Sequence, residues 1–253
     1  MRATALEFKF RLWISFTIIG LGFAAPWIEW LHWGDRTTHT WGWLAWKLSH
    51  LGISSIIGFE IVTALAVAAA AIAAALRVWG TAYLGTATVF NAEMKAGAEN
   101  KSGQVLADGP YRFMRNPLYV GSFLSIVALA ILMPPSGAVV SLLLLAVFLL
   151  RLILGEEAFL KPQLGAPYAT YLRAVPRILP SLRPRVPAGG QTPRWGLALV
   201  GELFPLGVFL SFAALSWQYD SGMLIRAVLI SFGISLVARA LIVPKPGSLR
   251  ATA

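Results

Sequence analysis

The chain is expected to fold as an all-α bundle of transmembrane helices, and three observations predict this. Of its 253 residues, 57% are hydrophobic and only 13% are charged, where a soluble domain carries roughly 25% charged residues. Long uncharged runs alternate with short polar segments, and the mean hydropathy is +0.70. Lys and Arg crowd into every second polar segment. About six spans are expected, at 11–31, 50–76, 117–133, 136–156, 195–217 and 223–243, since a helix needs about 20 apolar residues to cross a ~30 Å hydrocarbon core. There is no cysteine, which excludes disulfides, thiolate metal sites and a cysteine nucleophile.

Arg2, Lys9 and Arg11 precede the first run as they would in a signal peptide. No small-residue cleavage site follows, so the run is expected to stay as a helix. The loop after it carries Trp27, Trp30, Trp33, Trp41, Trp43 and Trp46. Tryptophan favours the membrane interface, and a short interfacial helix is expected near 40–47. His32, His39 and His50 lie on the same side without a helical spacing, so no metal site is expected. The second span is rich in alanine between Ala64 and Ala75, which suits close helix packing. Glu60 and Glu202 are acids within spans. Such residues face protein or water and are structural or functional; Glu202 is nearer the candidate site.

Leu76–Gly85 still reads as helix, residues 91–103 as a polar loop, and Pro180–Pro193 as an irregular linker. Eighteen of the 21 Lys and Arg fall on one side of the alternating spans, leaving Arg36, Lys47 and Arg226 on the other. The positive-inside bias then places both termini in the cytoplasm. The collar of charge suits anionic lipid rather than nucleic acid. Three regions follow: residues 1–102, N-terminal helices and interfacial loops; residues 103–180, a core built on a helical hairpin; and residues 181–253, a linker and C-terminal helix pair.

The hairpin region carries the chemistry. Asp108-Gly109-Pro110 is a turn signal, and Asn116-Pro117 reads as a helix start, with Asn as cap and Pro at the first helical position. The free amides there would seat an anionic group. The fourth span is expected to end at Glu156-Glu157. Carboxylates at a helix C-terminus oppose the macrodipole by roughly 0.3–1 kcal/mol each. The pair therefore reads as a cation site, or as partners for Arg112, Arg115 and Arg151. A hairpin brings both ends to one side, and the two seats together suit a zwitterion such as an amino-acid head group. Tyr168 and Tyr171 flank the turn at Gly165-Ala166-Pro167. They read equally as stacking faces and as interfacial anchors.

Taken in order, Gly-Pro-Tyr-Arg-x-x-Arg-Asn-Pro-x-Tyr-x-Gly (Gly109–Gly121), Glu-Glu-x-x-Leu (Glu156–Leu160), Gly-x-x-Tyr-x-x-Tyr (Gly165–Tyr171) and Val-Pro-Arg resemble the isoprenylcysteine carboxyl methyltransferase family and its phospholipid methyltransferase relatives. The resemblance covers about 80 residues and implies an integral-membrane methyltransferase using S-adenosylmethionine at the cytoplasmic face, with no metal. It implies cofactor contacts at Gln104, Val105, Leu106, Tyr111, Asn116, Pro117, Leu118, Tyr119, Glu156 and Glu157. It implies a substrate-facing arginine just before the acids, where Arg151 is nearest. Arg115, Tyr168 and Tyr171 complete the expected substrate contacts, and Arg151, Glu156 and Glu202 the expected catalytic set. Asn116 stands where the prenylcysteine enzymes usually have His. That departure groups the chain with bacterial-type relatives and points to a bacterial cytoplasmic membrane. The implied acceptor is a lipophilic, isoprenylcysteine-like carboxylate. A phospholipid amine is the alternative within enzymes, and a non-catalytic membrane scaffold or small-molecule carrier is the alternative outside them.

Overall fold

A computed structural model describes residues 2–36, 38–85 and 105–242. Gln104, Lys95, Lys101, Lys245, Arg250 and the expected loop at 91–103 lie outside them. The described residues form helices and no β-strand: α1 (Ala5–Lys9), α2 (Arg11–Ala24), α3 (Trp27–Leu31), α4 (Thr40–Ser49), α5 (Ser55–Leu84), α6 (Pro117–Ala130), α7 (Pro135–Ala174), α8 (Trp195–Gly201), α9 (Leu203–Leu215) and α10 (Ser221–Ile242). α5, α7 and α10 are long and apolar enough to cross a membrane, and the bent pair α8–α9 makes a fourth candidate. α2 and α6 are apolar but only 14 residues each. At 1.5 Å per residue that is about 21 Å, short of a ~30 Å core. By length and composition the count is three to four, not six.

The breaks have local causes. The first expected span stops at Ala25, which is left-handed (φ 38°) ahead of Pro26, because a proline disfavours helical geometry in the residue before it. α4 is the expected interfacial helix. Ser54 caps α5 by accepting from the Ile57 amide at 3.4 Å. α7 runs past the acids and kinks only at Gly165 (φ 59°, ψ −140°), a conformation open to glycine. Glu156 and Glu157 are therefore interior helical residues. The macrodipole argument for them does not apply, because the helix continues through Leu160 and Leu164, which are buried.

The connections gather at two ends. At one end Thr40 and Trp41 donate their backbone amides to Met133 (2.8 Å) and Ile131 (2.9 Å), and the Trp27 indole donates to Ser136 Oγ at 3.1 Å. The Trp41 and Phe59 rings meet Tyr219 with centroids 5.7 and 5.5 Å apart. α6 packs along α5, where Ala66, Ala70, Ala73 and Ala74 are buried. The main core joins these to Leu129, Leu145, Phe148, Val208 and Phe212. Glu60, by contrast, is exposed on α5.

At the other end the irregular linker is a strap laid over the motif segment. The Asp108 carboxylate accepts from the amides of Gly189 (2.8 Å), Gly190 (3.2 Å) and Gln191 (3.3 Å). Arg112 Nε donates to Val186 O at 3.0 Å, and the Ser181 and Arg185 amides donate to Phe113 O and Arg112 O. The strap answers backbone groups that no helix would satisfy.

The N-terminus docks on the same end. Thr4 and Glu7 form a capping box on α1, and Arg151 Nη2 lies 2.9 Å from both Glu7 oxygens. Chiefly through the Arg151 hydrogen bonds, and next the Thr4 amide, the Glu7 carboxyl is lowered from 4.5 to about 2. A carboxyl lowered on folding stabilises the fold above its unfolded value and loses that contribution as pH falls through the folded one. The melting temperature of the wild type should therefore exceed that of Glu7→Gln at neutral pH. The gap should close as pH falls from about 4.5 toward 2. A gap constant with pH in thermal scans would assign Glu7 a purely steric role.

Candidate active site

α1, α2, α5, α6, α7, α9 and α10 enclose a cavity of about 240 Å³. Most of its wall is apolar, including Phe16, Ile19, Leu149 and Phe232. Its polar groups include Tyr119, Ser122, Glu156 and three arginines, Arg11, Arg77 and Arg239. The first turn of α6 supplies Leu118 and Tyr119, and α7 supplies Glu156. The Tyr119 hydroxyl donates to Glu156 Oε2 at 3.0 Å, so the hairpin does bring these motif residues together.

Tyr111 stands in a 3-10 turn, Gly109–Arg112. It is 6% exposed, and among the described residues its hydroxyl has no hydrogen-bond partner. A Cβ on Gly80 would lie 3.4 Å from that oxygen and 2.8 Å from Leu118 Cδ2, which places the hydroxyl against the Leu118 stretch of the cavity wall. Burial pushes the phenol well above its ordinary range, so it stays a neutral donor. A buried hydroxyl without a partner carries a desolvation cost, and a ligand atom would relieve it.

Several residues expected at the site have other partners. Glu157, adjacent to Glu156, turns away. It pairs with Arg115 Nη1 at 3.0 Å and Arg177 Nη2 at 2.8 Å, and hydrogen bonding to Glu157 pushes the Arg177 guanidinium up. Asn116 holds the N-cap position without a side-chain capping bond; its Nδ2 donates to Arg177 O at 3.0 Å. Pro117 is buried in the first turn of α6. Tyr168 and Tyr171 stack at 6.0 Å in a satellite core with Leu160, Leu164 and Val105. Tyr171 positions the 3-10 turn by donating to Tyr111 O at 2.9 Å. Leu106 is buried. Arg151 is engaged by Glu7 and does not line the cavity.

Glu202 is fully buried at the 71° break between α8 and α9. Its oxygens accept from Arg77 Nε (2.6 Å), Arg77 Nη2 (3.0 Å) and Thr81 Oγ1 (2.6 Å). Both oxygens are occupied, so Glu202 positions Arg77 rather than facing the cavity. Arg77 also donates through Nη1 to Ser122 Oγ at 2.6 Å. Arg11, Arg77, Ser122 and Arg239 are lining residues that motif reading missed. The only sequence signal for the arginines was their place at the ends of apolar runs.

Residues 61–166 match the phospholipid methyltransferase family, in keeping with the resemblance read from the motifs. No curated protein and no solved structure matches the chain. The matched segment contains Arg77, Tyr111, Tyr119 and Glu156, whereas Arg11, Glu202 and Arg239 lie outside it.

Proposed function

We propose that the chain is an S-adenosylmethionine-dependent methyltransferase that acts within the membrane on a lipophilic acceptor, with both termini cytoplasmic. The observation that carries this reading is the Tyr119–Glu156 pair facing an apolar cavity inside the family-matched segment. The residues fit the cofactor chemically. Glu156 offers a carboxylate to its cationic groups, Tyr111 an unanswered hydroxyl, and the first turn of α6 amides that the Asn116 side chain leaves uncapped. Leu118 and Tyr119 would complete the contact. Gln104, Val105, Leu106, Asn116, Pro117 and Glu157 enter through the family resemblance, the last two as supports of the α6 start and of Arg115.

Bound cofactor would supply a methyl group already activated on a sulfonium. The protein's part is then to hold donor and acceptor in line and exclude water. Tyr119 fixes the Glu156 carboxylate. A carboxylate acceptor of the isoprenylcysteine type needs no base. An amine arriving protonated must lose a proton, and Glu156 is the acid that faces the cavity to take it. The description of the matched family favours that second acceptor, a phospholipid amine.

The purified chain in detergent should bind S-adenosylhomocysteine by calorimetry, and absence of binding overturns the reading. Membranes incubated with methyl-labelled cofactor then separate the acceptors. A base-labile, volatile label identifies a carboxyl ester, and a base-stable label on a lipid head group identifies an amine.

A further inference from the structure

The cavity contains more cationic chemistry than methyl transfer requires. Arg11 comes from α2, Arg77 from α5 and Arg239 from α10, and all three line the same largely apolar space. Two of them lie outside the family-matched segment, so they bear on what this chain in particular binds. Arg77 is held rigidly: Glu202 takes Nε and Nη2, while Ser122 takes Nη1. A guanidinium fixed in this way presents its remaining face without further loss of side-chain freedom. Like charges drawn to one low-dielectric space repel, and guanidiniums match phosphate and carboxylate oxygens with charge-assisted, often bidentate hydrogen bonds.

We infer that the acceptor is an anionic amphiphile whose phosphate or carboxylate lodges among Arg11, Arg77 and Arg239, with its hydrocarbon along Phe16, Ile19, Leu149 and Phe232. The inference rests on the methyltransferase reading for the word acceptor, but the anion site itself rests on the cavity. Arg239 and Arg11 are then specificity residues, in place of Arg151, which is committed to Glu7.

The test uses the full chain in a neutral detergent and two pairs of probes. Dihexanoyl phosphatidate is compared with dihexanoylglycerol, and N-acetyl-S-farnesylcysteine with its methyl ester. At least one anionic probe should bind roughly tenfold or more tightly than its neutral counterpart. Whichever anion shows the preference identifies phosphate or carboxylate as the group read. Arg239→Gln and, separately, Arg11→Gln should remove the preference while S-adenosylhomocysteine binding persists, which also certifies that each variant is folded. Equal binding of anionic and neutral probes to the wild type overturns the inference, as does a preference that survives both substitutions. Loss of S-adenosylhomocysteine binding by the wild type with the anion preference intact would instead sink the methyltransferase reading and leave the anion site standing.

Discussion

Glu156→Gln should weaken S-adenosylhomocysteine binding by roughly 10- to 100-fold and leave the bundle folded. The amide is isosteric with the carboxylate, and its carbonyl oxygen can still accept from Tyr119, now 3.0 Å from Glu156 Oε2. What is lost is the charge. Hydrogen bonds to charged groups are worth about 1.5–3 kcal/mol, and each 1.4 kcal/mol is tenfold in affinity. Tyr119→Phe keeps the charge and removes the donor that orients it, so its effect should be smaller, roughly 3- to 10-fold from loss of one neutral-donor bond. Calorimetric titration of the two variants, with thermal melts as a folding control, checks the order. If Glu156→Gln binds as the wild type does, the acid belongs to the acceptor or to the fold.

The Tyr119–Glu156 meeting was legible before any coordinates, because two apolar runs joined by a short Pro-Pro-Ser-Gly turn must bring their far ends together. The division of labour between Glu156 and Glu157 was not. Neighbouring helical positions differ by about 100° around the axis. Which of the two faces the cavity depends on the roll of α7, and that roll is set by Leu152, Leu160 and Leu164 packing inward. The end of the helix was misread for a related reason. Pro162 and the charged residues around it suggested a stop, but a proline forfeits one backbone hydrogen bond, and the buried apolar face carries the helix on to Gly165. The arginines of the cavity were hidden by their number. Eighteen cations at span ends are explained by topology alone, and no local pattern marks Arg11, Arg77 and Arg239 as the ones that turn inward. Glu202 gave the better hint: an acid inside an apolar run calls for a partner, and Arg77 is that partner.

That pair carries the largest expected effect on stability. Glu202→Ala should lower the unfolding free energy by about 3–5 kcal/mol. The carboxylate is fully buried where α8 breaks into α9, and it ties that break to α5 through Arg77 and Thr81. Removing it strands a guanidinium on the cavity wall, and an unpaired charge in a low-dielectric site costs far more than the pair contributes. The partner replacement Arg77→Met strands the carboxylate and should cost a similar amount. Joining the two changes as Arg77→Met with Glu202→Leu removes both charges and fills both volumes, so most of the loss should return. Helical circular dichroism during denaturant titration in detergent gives the three free energies, and the cycle gives their coupling. Additive losses would mean that the 2.6 Å contact holds nothing together. A large coupling means that the bend at Glu202 exists to aim Arg77. In that case the milder Glu202→Gln, which keeps the shape but frees the guanidinium to move, should reduce binding of the anionic probes more than binding of S-adenosylhomocysteine. The C-terminal helices would then serve the site without touching the cofactor, by fixing the direction of one arginine.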